Sequence, residues 1–290
     1  MYQDITELFC RIDDFCKDVE KSEKAKTLGS IKNPTRIPSI SESEIVTILV
    51  MFQTSGMKTF KDFYYRVMPY YSREFQKRPS YNRFLELIPR VFIYFSYLVA
   101  AIIMQNQKDG VFFVDSTSLS VCHNKRILRH KVFKGIAERG KTSMGWFFGM
   151  KLHLIIDRKG AIHGFKITPG NVHDTKAVDK MTTRLNGLLF GDRGYLSKPL
   201  FDNLFKRGLK IITTIRSNMK NKLLTISEKF LLRKRFLIET VFDLLKNKLT
   251  LWHTRHRSVQ NAFVHLLSCL VSYSIKPNKP KASIPVLIPS

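Results

Sequence analysis

Two short apolar segments, each leading into an aspartate, most constrain the fold of this chain. Val111–Val114 leads directly into Asp115, and Leu188–Phe190 leads through Gly191 into Asp192. Short apolar runs of this kind are typical of buried strands. A carboxylate at the end of such a strand is costly unless a cation or a hydrogen-bond donor meets it. The sequence therefore predicts central strands whose two aspartates lie side by side, where mutual repulsion favours a hard divalent cation.

The segments around these aspartates alternate between strand and helix patterns. Beyond Gly110 we expect three strands, a helix, a strand, a helix, a strand and a closing helix. Their predicted ranges are 111–114, 146–156, 161–167, a helix after Asp174, 188–190, 197–206, 209–215 and 228–249. An antiparallel start followed by alternating helices and strands is the order of ribonuclease H-like folds. The predicted class is therefore α/β, with a ribonuclease H-like mixed five-stranded sheet flanked by helices.

The first 107 residues carry helix patterns, which predict an N-terminal all-α domain. Ser41-Glu42-Ser43-Glu44 has the form of a capping box, and Pro79-Ser80 precedes a helix that opens with Tyr81, Asn82 and Arg83. A helix, a short break and this second helix would suit a helix-turn-helix reader of the major groove. The alternative is a plain helical bundle that pairs with another subunit.

Three regions follow from these patterns. Residues 1–107 are helical, with the candidate helix-turn-helix DNA-binding region. Residues 108–260 form the ribonuclease H-like catalytic domain, and residues 261–290 a C-terminal helix and a disordered tail that begins near Lys276.

The charge balance indicates a polyanionic partner. The chain has 49 Lys and Arg against 23 Asp and Glu, a formal net charge of +26. Such an excess favours nucleic acid, because binding releases the counterions condensed on phosphates. The alternative is an intracellular protein from an organism with a Lys-rich proteome.

Neither a secreted nor a membrane protein is indicated. The four cysteines show no paired ligand spacing, and the N-terminus lacks the pattern of a signal peptide. The longest apolar run, Val91–Met104, is short for a membrane span and predicts a buried helix. We therefore expect a cytoplasmic, nucleoid-associated protein with no membrane partner.

A third carboxylate, Glu239, lies on the closing helix pattern. At about 100° per residue, Arg235, Glu239, Phe242 and Lys246 fall on one narrow stripe of that helix. Taken alone, a glutamate between two cations on one stripe is a surface salt-bridge ladder.

This stripe resembles the signature Y-(2)-R-(3)-E-(6)-K of many insertion-sequence transposases. Arg235, Glu239 and Lys246 match it, while Leu232 stands where the signature has tyrosine. The segments Val114-Asp115-Ser116-Thr117 and Gly191-Asp192-Arg193-Gly194-Tyr195 resemble the other two acidic motifs. Further segments resemble the insertion-sequence 982 family in particular, at residues 78–84, 134–141, 145–149, 151–154 and 254–258.

The resemblance implies a DNA transposase that cleaves at the ends of a bacterial insertion sequence and joins the 3'-hydroxyl ends to target DNA. Asp115, Asp192 and Glu239 would be catalytic and would hold two Mg²⁺ or Mn²⁺ ions. The partners would be double-stranded DNA, both terminal repeats and target, and further copies of the chain in a dimer or larger assembly. The alternatives are a nuclease that only hydrolyses and a catalytically inactive or domesticated sequence-specific DNA-binding protein.

Arg235 and Lys246 would contact phosphates near the cut. The remaining predicted DNA contacts are Arg255, Arg257, Tyr81, Asn82 and Arg83.

Four acidic and histidine residues are left outside the site. Asp157 is interpreted as part of a hairpin turn and Asp174 as the N-cap of the next helix, while His123 and His153 have no ligand partner at metal spacing.

Overall fold

The computed structural model describes residues 4–21, 39–143, 145–214, 224–252 and 256–282. The chain divides into two compact units. One comprises Met1–Ile102 with Leu245–Ile275, and the other comprises Ile103–Leu244 with Lys276–Ser290. The last helix of the chain therefore belongs with the N-terminal helices, a grouping that the sequence did not predict.

The helices of the described residues follow one another along the chain as ten elements. They are α1 (Ile5–Lys21), α2 (Glu42–Thr54), α3 (Phe60–Arg66), α4 (Tyr81–Leu87), α5 (Phe92–Gln105), α6 (Thr175–Met181), α7 (Lys198–Lys206), α8 (Ile226–Arg233), α9 (Phe236–Asp243) and α10 (Val259–Ser274). Short 3-10 helices lie at Met68–Tyr71, Ile88–Val91, Asn124–Arg129 and Arg193–Tyr195, and a π-helix lies at Leu244–Lys248.

The first unit is a helical bundle with α2 at its centre. The predicted capping box is confirmed, since the Glu44 amide donates to Ser41 Oγ at 3.2 Å and the Ser41 amide donates to Glu44 Oε2 at 2.7 Å. Gln53 at the end of α2 is 1% exposed and donates to Ser268 Oγ of α10 at 2.9 Å. It also accepts a hydrogen bond from Thr250 at 3.0 Å, so one buried amide ties α2 to the C-terminal part of this unit.

The helix pair proposed to read DNA differs from a helix-turn-helix. The predicted cap at Ser80 is confirmed, but residues 67–80, including a 3-10 helix, separate α3 from α4. The predicted short break is therefore wrong, because a helix-turn-helix joins its helices by about 3–4 residues. The ring of Tyr81 packs 5.7 Å from that of Tyr64, whereas Asn82 and Arg83 are exposed.

The apolar helix α5 is less buried than its sequence predicted. Only Phe95 and Val99 of this helix are buried, while Phe92 and Met104 are 43% and 64% exposed. By length and composition alone, the longer stretch Tyr81–Gln105 is able to cross a membrane, since it contains an 18-residue window with a mean hydropathy of 2.0, of which 28% is buried. The prediction of a buried core helix is therefore wrong for most of its faces.

The described residues of the second unit form a six-stranded mixed sheet. Its strands are β1 (Val111–Cys122), β2 (Glu138–Thr142), β3 (Gly145–Asp157), β4 (Ile162–Pro169), β5 (Gly187–Gly191) and β6 (Leu209–Thr213). β3 pairs antiparallel with β1, β2 and β4, and β5 pairs parallel with β1 and β6. This mixed sheet with its flanking helices confirms the predicted ribonuclease H-like class, with one strand more than expected.

Two strands differ from the prediction for identifiable reasons. β1 continues past Asp115 to Cys122, so this aspartate lies inside the strand and not at its end. Pairing with β5 stops at Phe113, but antiparallel pairing with β3 continues and keeps the Ser- and Thr-rich half extended. β2 has the sequence Glu-Arg-Gly-Lys-Thr, which lacks the apolar alternation by which strands are identified.

The predicted disordered tail is only partly described. The amide of Ala282 donates to the carbonyl of Arg158 at 2.8 Å, in the turn between β3 and β4. Residues 276–282 therefore dock on the second unit, and residues 283–290 lie outside the described residues.

We expect Gly149→Ala to destabilise the sheet. A Cβ at Gly149 would lie 2.0 Å from the carbonyl oxygen of Leu119, so β1 and β3 must separate. Overpacking of this kind costs about 1–3 kcal/mol. Urea unfolding of both proteins measures the loss. Gly164→Ala on β4 is the control. Its new methyl group would lie 3.1 Å from the carbonyl oxygen of Met181, a much smaller overlap than at Gly149, so we expect a smaller loss of stability. Equal unfolding midpoints for the two variants would contradict this account.

Candidate active site

The two predicted aspartates belong to neighbouring parallel strands, Asp115 within β1 and Asp192 directly after β5. Phe113 of β1 pairs with Phe190 of β5, Asp115 and Asp192 each follow two residues later, and Asp192 lies within electrostatic reach of Asp115. Backbone amides orient both side chains. Asp115 Oδ1 accepts from the Ser116 amide at 2.8 Å, and Asp192 Oδ1 accepts from the Gly194 amide at 2.8 Å.

Arg235 connects Asp115 to the third predicted carboxylate. Its Nη1 donates to Asp115 Oδ2 at 3.2 Å, and its Nη2 donates to Glu239 Oε1 at 3.1 Å. The guanidinium and the Asp115 carboxylate are 22% and 19% exposed, whereas that of Glu239 is 57% exposed. One cation therefore bridges carboxylates from the central strand and from α9.

The helix that carries this arginine is broken, contrary to the prediction of one helix over 228–249. α8 ends at Arg233, the chain turns at Lys234 and Arg235, and α9 begins at Phe236. The predicted pairing of Arg235 with Glu239 is nevertheless present, because the arginine retains helical backbone angles at the N-cap of α9.

The electrostatics of Asp115 show that negative charge is concentrated here. Burial, with smaller contributions from the charges of Asp192 and Glu239, raises the pKa of Asp115 to about 6. The Ser116 amide and the Arg235 guanidinium lower it, without offsetting the burial. Asp192 and Glu239 thus both lie within electrostatic reach of Asp115, and the site favours additional positive charge.

The donor set of this site suits a hard cation. Carboxylate oxygens are the ligands that Mg²⁺ and Mn²⁺ prefer. Among the described residues, no group of three acidic, histidine or cysteine side chains is spaced to hold a metal ion. The Arg235 guanidinium lies between Asp115 and Glu239 and contacts both. It supplies there the positive charge that the carboxylates require, so the residues fit a divalent cation by their chemistry.

A buried polar cluster lies on the other face of β1. Ser116 points away from Asp115 because neighbouring strand residues alternate between faces, and it pairs with His153 of β3. Lys151, two residues earlier, donates to Asp174 Oδ1 at 3.0 Å. His153 is fully buried with Nε2 2.8 Å from Thr168 Oγ1, and burial lowers its pKa to about 4.

The roles of Asp174 and Lys151 were not identified from the sequence. Asp174 stands at the N-cap of α6, but its side chain makes no capping hydrogen bond and instead pairs with Lys151. The interpretation of this side chain as a cap is therefore wrong. The signal for the cluster was present in β3, where Lys151 and His153 interrupt an otherwise apolar strand.

Tyr195 links the two faces. Its ring packs on Gly191 and Val114, since a Cβ at Gly191 would meet that ring at 2.9 Å and Val114 at 3.2 Å. Its hydroxyl group is buried, and its pKa is raised well above the usual value by burial and by Asp115, Asp174 and Asp192. Tyr195 is thus a structural contact of the Asp192 motif.

The predicted DNA-contacting residues other than Arg235 belong to the first unit or lie outside the described residues. Lys246 is in the π-helix, where helical spacing changes, and its Nζ lies 4.6 Å from the ring centre of Trp252. Burial lowers its pKa. Arg257 is exposed and within electrostatic reach of Tyr81, and Arg255 is outside the described residues.

Comparison with known proteins supplies the family. Residues 105–259, more than half of the chain, match the family described as transposase DDE domain. No curated protein matches the chain.

Several solved structures are similar to the chain at low identity. The piggyBac transposase in a synaptic complex with hairpin DNA is 13% identical with a TM-score of 0.48, over 85% of this chain and 69% of that chain. The Mos1 strand transfer complex is 9% identical with a TM-score of 0.27, over 89% of this chain and 83% of that chain. A Mos1 paired-end complex with the left transposon end is 10% identical with a TM-score of 0.24, over 90% and 86%.

The family match includes Asp115, Asp192, Arg235 and Glu239 within its range. This chain belongs to the DDE transposase domain family.

Proposed function

We propose that the chain is a DNA transposase of bacterial insertion sequences, of the 982 family, with Asp115, Asp192 and Glu239 as its catalytic carboxylates. The observation that carries this proposal is the bridge made by Arg235. Arg235 contacts Asp115, 120 residues earlier in the sequence, as well as Glu239, and Asp192 directly follows β5, the strand next to β1. Such convergence is expected of a site and not of a surface salt-bridge ladder, which would involve α9 alone.

The residues of this site have distinct roles. Asp115, Asp192 and Glu239 would hold two Mg²⁺ or Mn²⁺ ions, which would supply Lewis-acid chemistry for phosphodiester cleavage and strand transfer. The Ser116 and Gly194 amides fix the orientation of Asp115 and Asp192. Glu239 is the most exposed carboxylate, on the side from which DNA arrives. Arg235 binds a phosphate beside the cut, because a guanidinium fork fits phosphate as well as carboxylate.

The substrate of this proposal is double-stranded DNA, as the element's terminal repeats and as target. The net charge of +26 supports it. Residues 108–260 would be the catalytic domain. The N-terminal helical region would contribute DNA contacts, together with Tyr81, Asn82, Arg83 and Arg257. A dimer or larger assembly brings two element ends together, in a cytoplasmic, nucleoid-associated protein.

The test is strand cleavage and joining by purified protein with Mg²⁺. The donor is a duplex of the DNA that flanks the coding sequence, and the target is a supercoiled plasmid. We expect nicks that expose a 3'-hydroxyl group, followed by covalent joining to the plasmid. Cleavage without joining would identify a nuclease that only hydrolyses. Neither reaction, with intact DNA binding, would identify an inactive DNA-binding protein.

Loss of any one carboxylate is expected to abolish both reactions. Asp115→Asn, Asp192→Asn and Glu239→Gln should each reduce cleavage by about a thousandfold or more, because such a metal site is worth several kcal/mol in the transition state. Asp202→Asn, at an exposed position of α7, is the matched control and should cleave normally. If Asp115→Asn cleaved at the rate of the unaltered protein, the assignment of the site would be wrong.

The variant Arg235→Lys tests whether cleavage needs the planar shape of the Arg235 guanidinium or only its positive charge. Lysine keeps the positive charge but cannot donate to two groups as a planar fork. We expect cleavage to fall by about tenfold to a hundredfold, the cost of a charge-assisted hydrogen bond. The rate of cleavage at saturating DNA is the measurement. A rate equal to that of the unaltered protein would show that the fork has no role in cleavage.

A further inference from the structure

The segment between Asp115 and the middle of β3 presents a basic surface. Residues 122–151 contain eight Lys and Arg and one acidic residue, Glu138. Two large apolar side chains stand exposed within it, Leu128 at 97% and Trp146 at 63%. Apolar groups exposed within a basic surface are typical of an interface with nucleic acid, where phosphates meet the cations and bases meet the apolar groups.

A cavity of about 390 Å³ opens on this surface. Its walls are the 3-10 helix Asn124–Arg129 on one side and the hairpin of β2 and β3 on the other. The residues that line it are Asn124, Ile127, Arg139, Trp146 and Phe147. Its volume falls within the range of about 300–1,000 Å³ that is usual for sites of small molecules.

The walls of this cavity are held in place by specific contacts. Asn124 Nδ2 donates to the carbonyl of Trp146 at 2.7 Å, which joins the two walls. Phe147 is fixed against backbone, because a Cβ at Gly140 would lie 2.5 Å from its ring. His130, next to the 3-10 helix, stacks on Phe133 with ring centres 5.7 Å apart. The cavity is therefore formed before any ligand arrives, and binding costs little ordering.

The lining selects a planar aromatic ligand that carries negative charge. Trp146 offers an aromatic ring, Ile127 and Phe147 offer apolar surface, and Arg139 offers a guanidinium group. Lys141 Nζ lies over the ring of Trp146, 5.7 Å from its centre, so a second cation adjoins this side chain. A nucleotide combines these features, whereas a base inside a duplex is stacked on both faces and cannot enter.

We propose that this cavity binds an unpaired nucleotide of the DNA substrate, with its base against Trp146 and its phosphate near Arg139 and Lys141. The inference rests on the proposed function in one respect, since DNA is the substrate. In this proposal the cavity positions the DNA and takes no part in breaking bonds. Stacking on an aromatic side chain should favour the unpaired form by about 5- to 150-fold in affinity.

The test compares DNA binding by fluorescence anisotropy without divalent metal. The probes are labelled duplexes of one sequence that are fully paired, carry one bulged nucleotide, or carry one bulged abasic site. We expect the full-length protein to prefer the bulged nucleotide by about 5- to 150-fold over the paired duplex, and the abasic bulge to lose this preference.

Variants assign the preference to the cavity. Trp146→Ala should lose the preference, and Trp146→Phe should keep most of it, which also controls for folding. Phe205→Ala removes an aromatic side chain that is 60% exposed on α7, outside the cavity, and should behave as the unaltered protein. A preference that survives Trp146→Ala would overturn the proposal.

Two further outcomes separate this inference from the proposed function. If paired and bulged duplexes bind equally while cleavage proceeds, the inference is wrong and the proposed function stands. If no duplex binds, the proposed function fails as well. Quenching of Trp146 fluorescence in a Trp252→Phe background shows whether the cavity binds a free nucleotide instead of a nucleotide within DNA. Quenching by deoxyadenosine monophosphate without any preference for the bulged duplex would overturn the assignment to DNA.

Discussion

Repulsion among Asp115, Asp192 and Glu239 is the constraint on which the second unit depends. The sheet brings two aspartates together by pairing β1 with β5 in parallel, and α9 adds a glutamate. Burial raises the pKa of Asp115 to about 6, even with the Ser116 amide and Arg235 lowering it. Arg235 offsets part of the cost by bridging two of the carboxylates. The arrangement is tolerable with one arginine and more favourable with further cations, which is the property that a site for metal ions and phosphates requires.

The alternation of β1 gives this site a second layer. Asp115 faces Arg235, and its neighbour Ser116 faces the buried cluster of His153, Lys151 and Asp174. Because that cluster includes a partly buried ion pair, the strand is fixed from both faces. A carboxylate that must be placed within a fraction of an ångström gains from such support, since geometry loosely held costs catalysis.

How far the sequence predicts this structure depends on the range of the forces involved. Apolar runs and caps are local, so the order of the five strands other than β2, the capping box at Ser41 and the proximity of Asp115 to Asp192 followed from them. The pairing of Lys151 with Asp174 did not follow, because it depends on a contact across 23 residues that has no local signature. The break at Arg235 was missed for a similar reason. Its flanking residues favour helix, and no glycine or proline marks the turn.

The extension of β1 beyond Asp115 runs from the proposed catalytic site to the neighbourhood of the cavity. Asp115 lies where β5 ends, and Cys122 at the far end of β1 pairs with Phe148, next to the cavity wall formed by Phe147. At about 3.3 Å per residue, the seven steps between Asp115 and Cys122 span about 23 Å. Since B-DNA rises about 3.4 Å per base pair along each strand, this distance corresponds to about seven base pairs. An unpaired nucleotide in the cavity would therefore lie several base pairs from the cut and not beside it. The long β1, which the sequence did not predict, therefore separates the proposed site of cleavage from the proposed nucleotide-binding cavity.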